Sequence, residues 1–324
     1  MSCFYQVYGL NLLANFPIFG LKKHSEVNSP DVSIYLAQNS QSFPLFLALN
    51  WQPVDCRFPL SIATDKEETY FRLRYAYEPD YAEFIINSLG SKIWIDCSQN
   101  VTFKDIAALL LHPVLGCVLR LRGVTCLHSN VIIVDNRAIA IVGQKGAGKS
   151  TTAAALVQKG KQLLADDIAA LVERENTFYV QPGYPSLRLH SETALKLYGN
   201  TDGFESVFSQ PERWFLTKKN VPLQSADEFI KYPLSLAAIY LLGKREPHLE
   251  KITLKTINSA MTILKLLPHL YVNWFPNKAS KANDFKVLSR LVDRVPVKQV
   301  HRPNDLTKLP EICQIILDDV QQIS

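Results

Sequence analysis

Apolar positions along this chain change their period from one region to the next. Over the first hundred residues Phe4 to Tyr8, Val32 to Leu36 and Thr69 to Tyr75 alternate with polar positions, and Pro and Asn/Ser clusters separate them. Alternation of this kind predicts antiparallel strands in a small β-rich, α+β unit. Lys92 to Asp96 reads as a further strand and Asp80 to Leu89 as a short helix. The period then lengthens. Thr102 is a cap candidate with Asp105 three residues on, and apolar residues run from Ile106 to Leu121 before Arg122 and Gly123 end the helix. We expect a domain boundary between 100 and 123, giving a β-rich N-terminal domain over 1–105 and a second domain over 106–324. No Gly/Ser linker separates the halves, so a compact join is expected.

The second region reads as α/β with a mixed sheet. Cys126 to Val134 and Ala138 to Val142 are apolar strands around an Asp135-Asn136 turn. Thr151 to Lys159 reads as a helix stopped by Gly160, and Gln162 to Ala165 as another strand. Ile168 to Glu173 with Thr177 to Gln181 suggests a hairpin, and His190 to Tyr198 a helix capped by Ser191. The stretch 199–232 is polar and aperiodic and reads as a connecting loop. It holds Arg213-Trp214-Phe215 and Lys218-Lys219, which can border an acceptor site. Leu234 to Leu242 is an apolar strand with Ile252 to Lys255 as its neighbour. Helices over 258–267 and 279–293, a strand over Val295 to Val300 and a helix over 309–320 complete the chain.

Between the strand 138–142 and the helix after it lies Gly143-Gln144-Lys145-Gly146-Ala147-Gly148-Lys149-Ser150, followed by Thr151. It fits G-x-x-x-x-G-K-[ST] at every fixed position, in the strand–loop–helix context that the motif requires. Glycines let the backbone approach an anion closely, and successive N–H groups with the helix N-terminus then point at it. Lys149 adds a positive charge for the outer phosphates, and Ser150 offers a hydroxyl to Mg²⁺.

The strand 162–165 ends in Asp166-Asp167. One right-handed strand–helix–strand unit would make strands 138–142 and 162–165 parallel, with both carboxylates beside the glycine loop. Neighbouring strand residues face opposite sides, so one carboxylate can attend Mg²⁺ and the other can accept a hydroxyl proton. We assign Asp166 as base and Asp167 as the metal-associated residue. His128 can be a core histidine or a charge-stabilising group, and Arg188 a structural ion-pair partner or a stabiliser of phosphoryl charge.

A metal-site aspartate only one helix beyond the loop resembles the HPr serine kinase/phosphorylase family and its kinase-like relatives. The resemblance rests on Leu127-His128-Ser129-Asn130, the glycine loop, and Leu164-Ala165-Asp166-Asp167. It covers roughly 120–320 and is specific around 126–189. It implies ATP and Mg²⁺ as cofactors and His128 close to the phosphates. The family's Glu-[Leu/Ile]-Arg-Gly segment departs here: in Pro185-Ser186-Leu187-Arg188-Leu189 the arginine is kept, but Ser186 stands where the acid would be. Gly183 to Leu189 looks like divergent HPr-kinase-like proteins of bacterial natural-product clusters, including peptide-tailoring kinases.

Composition narrows the remaining classes. The 324 residues carry 35 basic and 30 acidic side chains, a net +5 that is no nucleic-acid footprint. Lys244-Arg245 and the lysines of 278–286 read as solvated faces. The stretch 106–121 is broken by His112, Pro113 and Arg120, which favours a buried helix over a membrane span. The six cysteines form no C-x-x-C pair and read as core residues or free thiols. The expected protein is a cytoplasmic ATP-dependent kinase of a peptide, protein or small-molecule hydroxyl, with no nucleic acid or membrane partner and a possible homo-oligomer. A nucleotide-binding regulatory or docking protein without transfer is the alternative.

Overall fold

A computed structural model describes residues 2–24, 29–37, 46, 48–55, 58–66, 68–184, 186–199, 205–207, 210–216, 230–276 and 278–323. Contacts divide the chain into two units. One is Met1–Gly123 with Val207–Pro211 and Trp274–Asn277; the other is Val124–Ser206 with Glu212–Asn273 and Lys278–Ser324. By its contacts the helical segment up to Leu121 groups with the first unit, whereas the sequence reading began the second domain at 106.

The first unit is a mixed eight-stranded sheet. Its strands are β1 (Cys3–Val7), β2 (Leu10–Ala14), β3 (Val32–Leu36), β4 (Gln52–Pro53), β5 (Leu60–Asp65), β6 (Glu68–Tyr77), β7 (Asp80–Asn87) and β8 (Lys92–Cys97). They lie in the order β1-β2-β3-β8-β7-β6-β5-β4, with β3 parallel to both β2 and β8. The register puts Ile34, Ile93, Ile86 and Phe71 in one buried row. Strand β7 corrects the short helix expected over 80–89. Its residues Ala82 to Asn87 are all buried, because Phe46 packs on Ile85 from the face opposite the Ile86 row. A strand covered on both faces loses the alternation that marks strands in sequence, while its Tyr, Phe and Ile content still suits one.

The helical segment begins with a capping box, Thr102 accepting from the Asp105 N–H. It runs as α1 (Phe103–Leu109), a π turn over Leu110–Val114 and α2 (Leu115–Leu121). Pro113 lies inside the π turn, where a wider turn tolerates a residue with no N–H to donate. No helix among the described residues is long and apolar enough to cross a membrane.

The second unit is built on β9 (Cys126–Val134). On one side β9 pairs antiparallel with β10 (Arg137–Val142), through a two-residue turn at Asp135 and Asn136, whose φ of 48° and 63° are the left-handed values a type I′ hairpin requires. On its other side β9 pairs antiparallel first with β11 (Gln162–Ala165) and then with β12 (Ile168–Arg174). Strands β10 and β11 are therefore parallel, as expected, but β9 separates them. Strands β11 and β12 also form one broken line along β9. Asp166 and Asp167 sit at the break rather than at a sheet edge, and Asp167 adopts a φ of 62°.

Strand β12 turns through Glu175-Asn176 into β13 (Thr177–Val180), and β14 (Leu187–His190) follows. The loop expected over 199–232 contains strands β15 (Glu205–Val207) and β16 (Gln210–Leu216), with Arg213-Trp214-Phe215 pairing along β14. Lys218-Lys219 lies outside the described residues. Strand β17 (Leu234–Arg245) runs parallel to β10, and β19 (Val297–Arg302) parallel to β17. Strand β18 (Thr253–Thr256) pairs with β19, not with β17 as expected. Of the cysteines, Cys3, Cys97, Cys117, Cys126 and Cys313 are free thiols, and Cys56 lies outside the described residues.

Helix α3 (Lys149–Gln158) follows the glycine loop. Its Ala153, Leu156 and Val157 share one core with Ile139 and Ile141 of β10 and with Ile312, Cys313 and Ile316 of the last helix. Between them come α4 (Ser191–Tyr198), α5 (Ser259–Leu266) and α6 (Lys278–Val292), and the last helix is α7 (Leu309–Gln321). His190, not Ser191, occupies the N-cap of α4, so Ser191 is its first residue. Asn258 caps α5 by accepting from Met261 N–H at 2.9 Å.

Leu156 is wholly buried. Leu156→Ala should cost about 2–5 kcal/mol, read as a lower urea midpoint at an unchanged slope. A loss below about 1 kcal/mol would mean that α3 is not seated on this core.

Candidate functional site: a glycine loop beside a buried carboxylate

The loop 143–148 leaves the sheet where β10 meets β17. A Cβ at Gly143 would lie 3.0 Å from the Ala147 Cβ and 3.2 Å from the Leu242 Cβ, so only glycine fits between the turn and its neighbouring strand. Gly148 starts α3 with a φ of 95°, in the left-handed region. Lys149 is buried, and its ammonium donates to the Gly143 carbonyl at 2.9 Å and the Gln144 carbonyl at 3.4 Å. It is thus held along the loop that it would serve. Ser150 and Thr151 occupy the first turn of α3 and are half-buried.

Register links this loop to the carboxylates. Val142, just before the loop, pairs with Ser129 of β9, and the Ser129 N–H donates to the Asp167 carbonyl at 3.2 Å. Strands are spaced about 4.8 Å apart, so two strand steps carry the chain from the loop to Asp167.

The two aspartates differ sharply. Asp166 is fully buried. Its Oδ1 accepts from the Asn130 side-chain amide, and its Oδ2 accepts from the Arg188 backbone N–H at 3.1 Å, with Arg188 Nε 3.6 Å away. Asp167 keeps 14% of its side chain exposed. Its Oδ2 takes the Arg188 Nη2, and its Oδ1 faces His128 Nε2 at 3.6 Å. Burial alone would lower the Arg188 pKa, but Asp167, Tyr184 and Asp166 outweigh it, and the guanidinium is held more firmly protonated than usual. Burial likewise pushes the Tyr184 hydroxyl up, with Asp166 and Asp167 adding to the effect against Arg188.

The structure therefore brings together Asp166, Asp167, His128 and Arg188, all named from the sequence. Ser186 is half-buried just before β14; Pro185 lies outside the described residues. Three neighbours were not foreseen. Asn130 belongs to the strand and to the Leu127 to Asn130 motif but has no role of its own in the sequence reading, yet it is buried against Asp166. Tyr271 stands edge-on to His128 with ring centroids 5.6 Å apart. His269 comes in because Leu127 bridges Leu270 in antiparallel sense and the Tyr271 N–H donates to the Cys126 carbonyl at 2.8 Å, which sets residue 269 against residue 128. Nothing local in Leu267-Pro268-His269 signals this pairing across the fold.

The site is thus a glycine loop two strand steps from a carboxylate pair bridged by arginine, in a mixed α/β unit. No family model matches the chain. Among curated proteins, the HPr kinase/phosphorylase of Clostridium botulinum (strain Eklund 17B / Type B) is 33% identical over 97 residues, 30% of this chain and 31% of that protein. The HPr kinase/phosphorylase of Mycoplasmopsis pulmonis is 24% identical over 169 residues, 52% of each chain. The matches thus span 31% and 52% of these relatives' length. Among solved structures, the HPr(Ser) kinase/phosphatase of Coxiella burnetii covers 60% of this chain and 95% of its own, at 14% identity and a TM-score of 0.32. The chain is related to the HPr kinase/phosphorylase family.

Burial first, then the nearby Lys149 and His128, push the His269 pKa down to about 4. An unfolded histidine titrates near about 6.5, so between these values the unfolded chain binds the extra proton. Stability contributed by a neutral His269 is complete above about 6.5 and lost as pH falls towards about 4. Imidazole resonances followed by NMR should show one histidine still neutral at pH 5; a full set titrating near 6.5 would contradict this burial.

Proposed function

We propose that this chain is an ATP-dependent phosphotransferase that moves the γ-phosphoryl group to a hydroxyl, most simply a serine of a peptide or protein. The observation that carries the reading is the pairing of a partly open carboxylate, Asp167, with His128 and Arg188 two strand steps from the glycine loop. The relatives' name makes HPr, a protein, the object of their kinase activity, which supports a protein or peptide acceptor here. The departure at Ser186 argues for an acceptor other than HPr.

In this reading Gly143 to Gly148 and the first N–H groups of α3 receive the phosphates, and Lys149 turns from the loop carbonyls to the outer phosphate oxygens. The Ser150 hydroxyl and the nucleotide's own phosphates would offer oxygens, which suits Mg²⁺. The Ser150 hydroxyl would hold it together with phosphate oxygens and water, and the ion would offset charge developing between the β- and γ-phosphates.

The expected division of roles, Asp166 as base and Asp167 on the metal, is better reversed in emphasis. Both Asp166 oxygens face donors and none faces solvent, so Asp166 would fix Arg188 and the strand break. Asp167 keeps an oxygen towards His128 and would take the proton of the acceptor hydroxyl. Arg188 would then stabilise negative charge at the transferring group, with His128 assisting. Acceleration would come mainly from positioning and electrostatics.

Asp167→Asn should leave ATP affinity within a few-fold and lower single-turnover transfer by about 10²–10⁴-fold. Wild-type turnover in that variant would sink the assignment. Lys149→Ala should strongly weaken ATP binding by calorimetry, and undiminished affinity with full activity would overturn the phosphate-loop reading. Binding without consumption of ATP, whatever hydroxyl acceptor is supplied, would favour a nucleotide-dependent docking protein instead.

A further inference from the structure

Beside the first turn of α3 lies a cavity of about 260 Å³. Gly148, Thr151, Arg245, Arg302 and Asp305 line it, with Leu309 and Ile312 as apolar lining. Leu306, 46% exposed, stands at its mouth. Strands β10, β17 and β19 are mutually parallel, and the glycine loop, Arg245 and the 303–308 turn all lie at their C-terminal ends. Ligands of α/β sheets sit outside the C-terminal ends of parallel strands.

Arg302 is 95% buried, since only 5% of its surface is exposed. Its Nη2 donates to the Ala147 carbonyl, and among the described residues its Nε has no partner. Arg245 is its register partner on β17. A Cβ at Gly148 would lie 3.5 Å from a terminal nitrogen of each arginine, so both side chains reach the loop backbone. Burial, and then Arg245, push the Arg302 pKa down to about 10. Among the described residues neither arginine is in an ion pair, and Asp305 is the carboxylate residue in the cavity lining. Arg302 is buried and Arg245 exposed, and two cations meeting at one end of a cavity favour an anion between them.

We propose that this cavity receives the nucleoside end of the nucleotide whose outer phosphates lie in the glycine loop. Arg245 and Arg302 would face the phosphate next to the ribose, and the base would pack against Leu306, Leu309 and Ile312. Size agrees: clefts for larger organic ligands run to about 300–1,000 Å³, and this one suits a single nucleoside. An inorganic anion would use the arginines but leave the apolar wall unfilled. The inference rests on the phosphate-loop reading above.

The test compares ATP with inorganic tripolyphosphate on the full chain by calorimetry in Mg²⁺ buffer. ATP should bind at least about tenfold more tightly. Ile312→Phe, which fills the cavity, and Leu306→Ser, at an exposed position where folding is not at risk, should each erode that advantage and leave tripolyphosphate affinity unchanged. Binding of both ligands that depends on Lys149, with no ATP advantage or with an advantage indifferent to Leu306→Ser, would overturn the cavity assignment alone. Absence of binding, or binding indifferent to Lys149→Ala, would overturn the loop reading and this inference with it.

Discussion

A fully buried carboxylate is tolerated only where donors replace its lost water, and Asp166 imposes that requirement on its surroundings. Asn130 from β9 meets one oxygen, and the Arg188 backbone and guanidinium meet the other. Three separate pieces of chain are thereby tied at one point: the central strand, the break between β11 and β12, and β14. Removing one partner of a buried ion pair costs about 3–5 kcal/mol, so the tie is a firm one. The same arginine reaches on to Asp167, and the buried residue thus sets where the partly exposed one stands.

Strand β9 carries this constraint to the glycine loop. It is longer than β10 and holds β10 on one edge and the broken β11–β12 line on the other. Its residues from His128 to Asn130 lie level with both the end of β10 and the break. A shift of one residue along β9 would turn Asn130 away from Asp166 and put Ser129 in its place. The apolar faces of β9 and β10, packed by Ile132, Ile139 and Ile141 against α3 and by Val131, Ala138 and Ala140 on the other side, oppose such a slip.

Charge is distributed unequally around the loop. On the β9 side, Arg188 is balanced by two aspartates. On the β19 side, Arg245 and Arg302 face the loop with no ion pair among the described residues, and Asp305 lines the cavity they share. The loop therefore stands between a neutralised cluster and a cationic one, a gradient that favours an extended polyanion lying across it.

Much of this was legible in the chain itself. The G-x-x-x-x-G-K-[ST] spacing, the Asp135-Asn136 hairpin, the helix after Gly148 and the adjacent aspartates follow from local rules, because glycine conformations, turn types and helix starts are set by neighbours in sequence. The strand β7 was not legible, since burial on both faces erased its period. Lys244-Arg245 read as solvated and both are exposed, but that β17 and β19 bring Arg245 to the loop, through a pairing between residues 57 positions apart, was not legible. The unequal burial of Asp166 and Asp167, the approach of Asn130, and the arrival of His269 opposite His128 belong to the tertiary structure alone. Sequence determined which chemical groups this protein has near its glycine loop along the chain. Which of them are desolvated, paired or open depends on contacts between distant strands, and no local propensity encodes those.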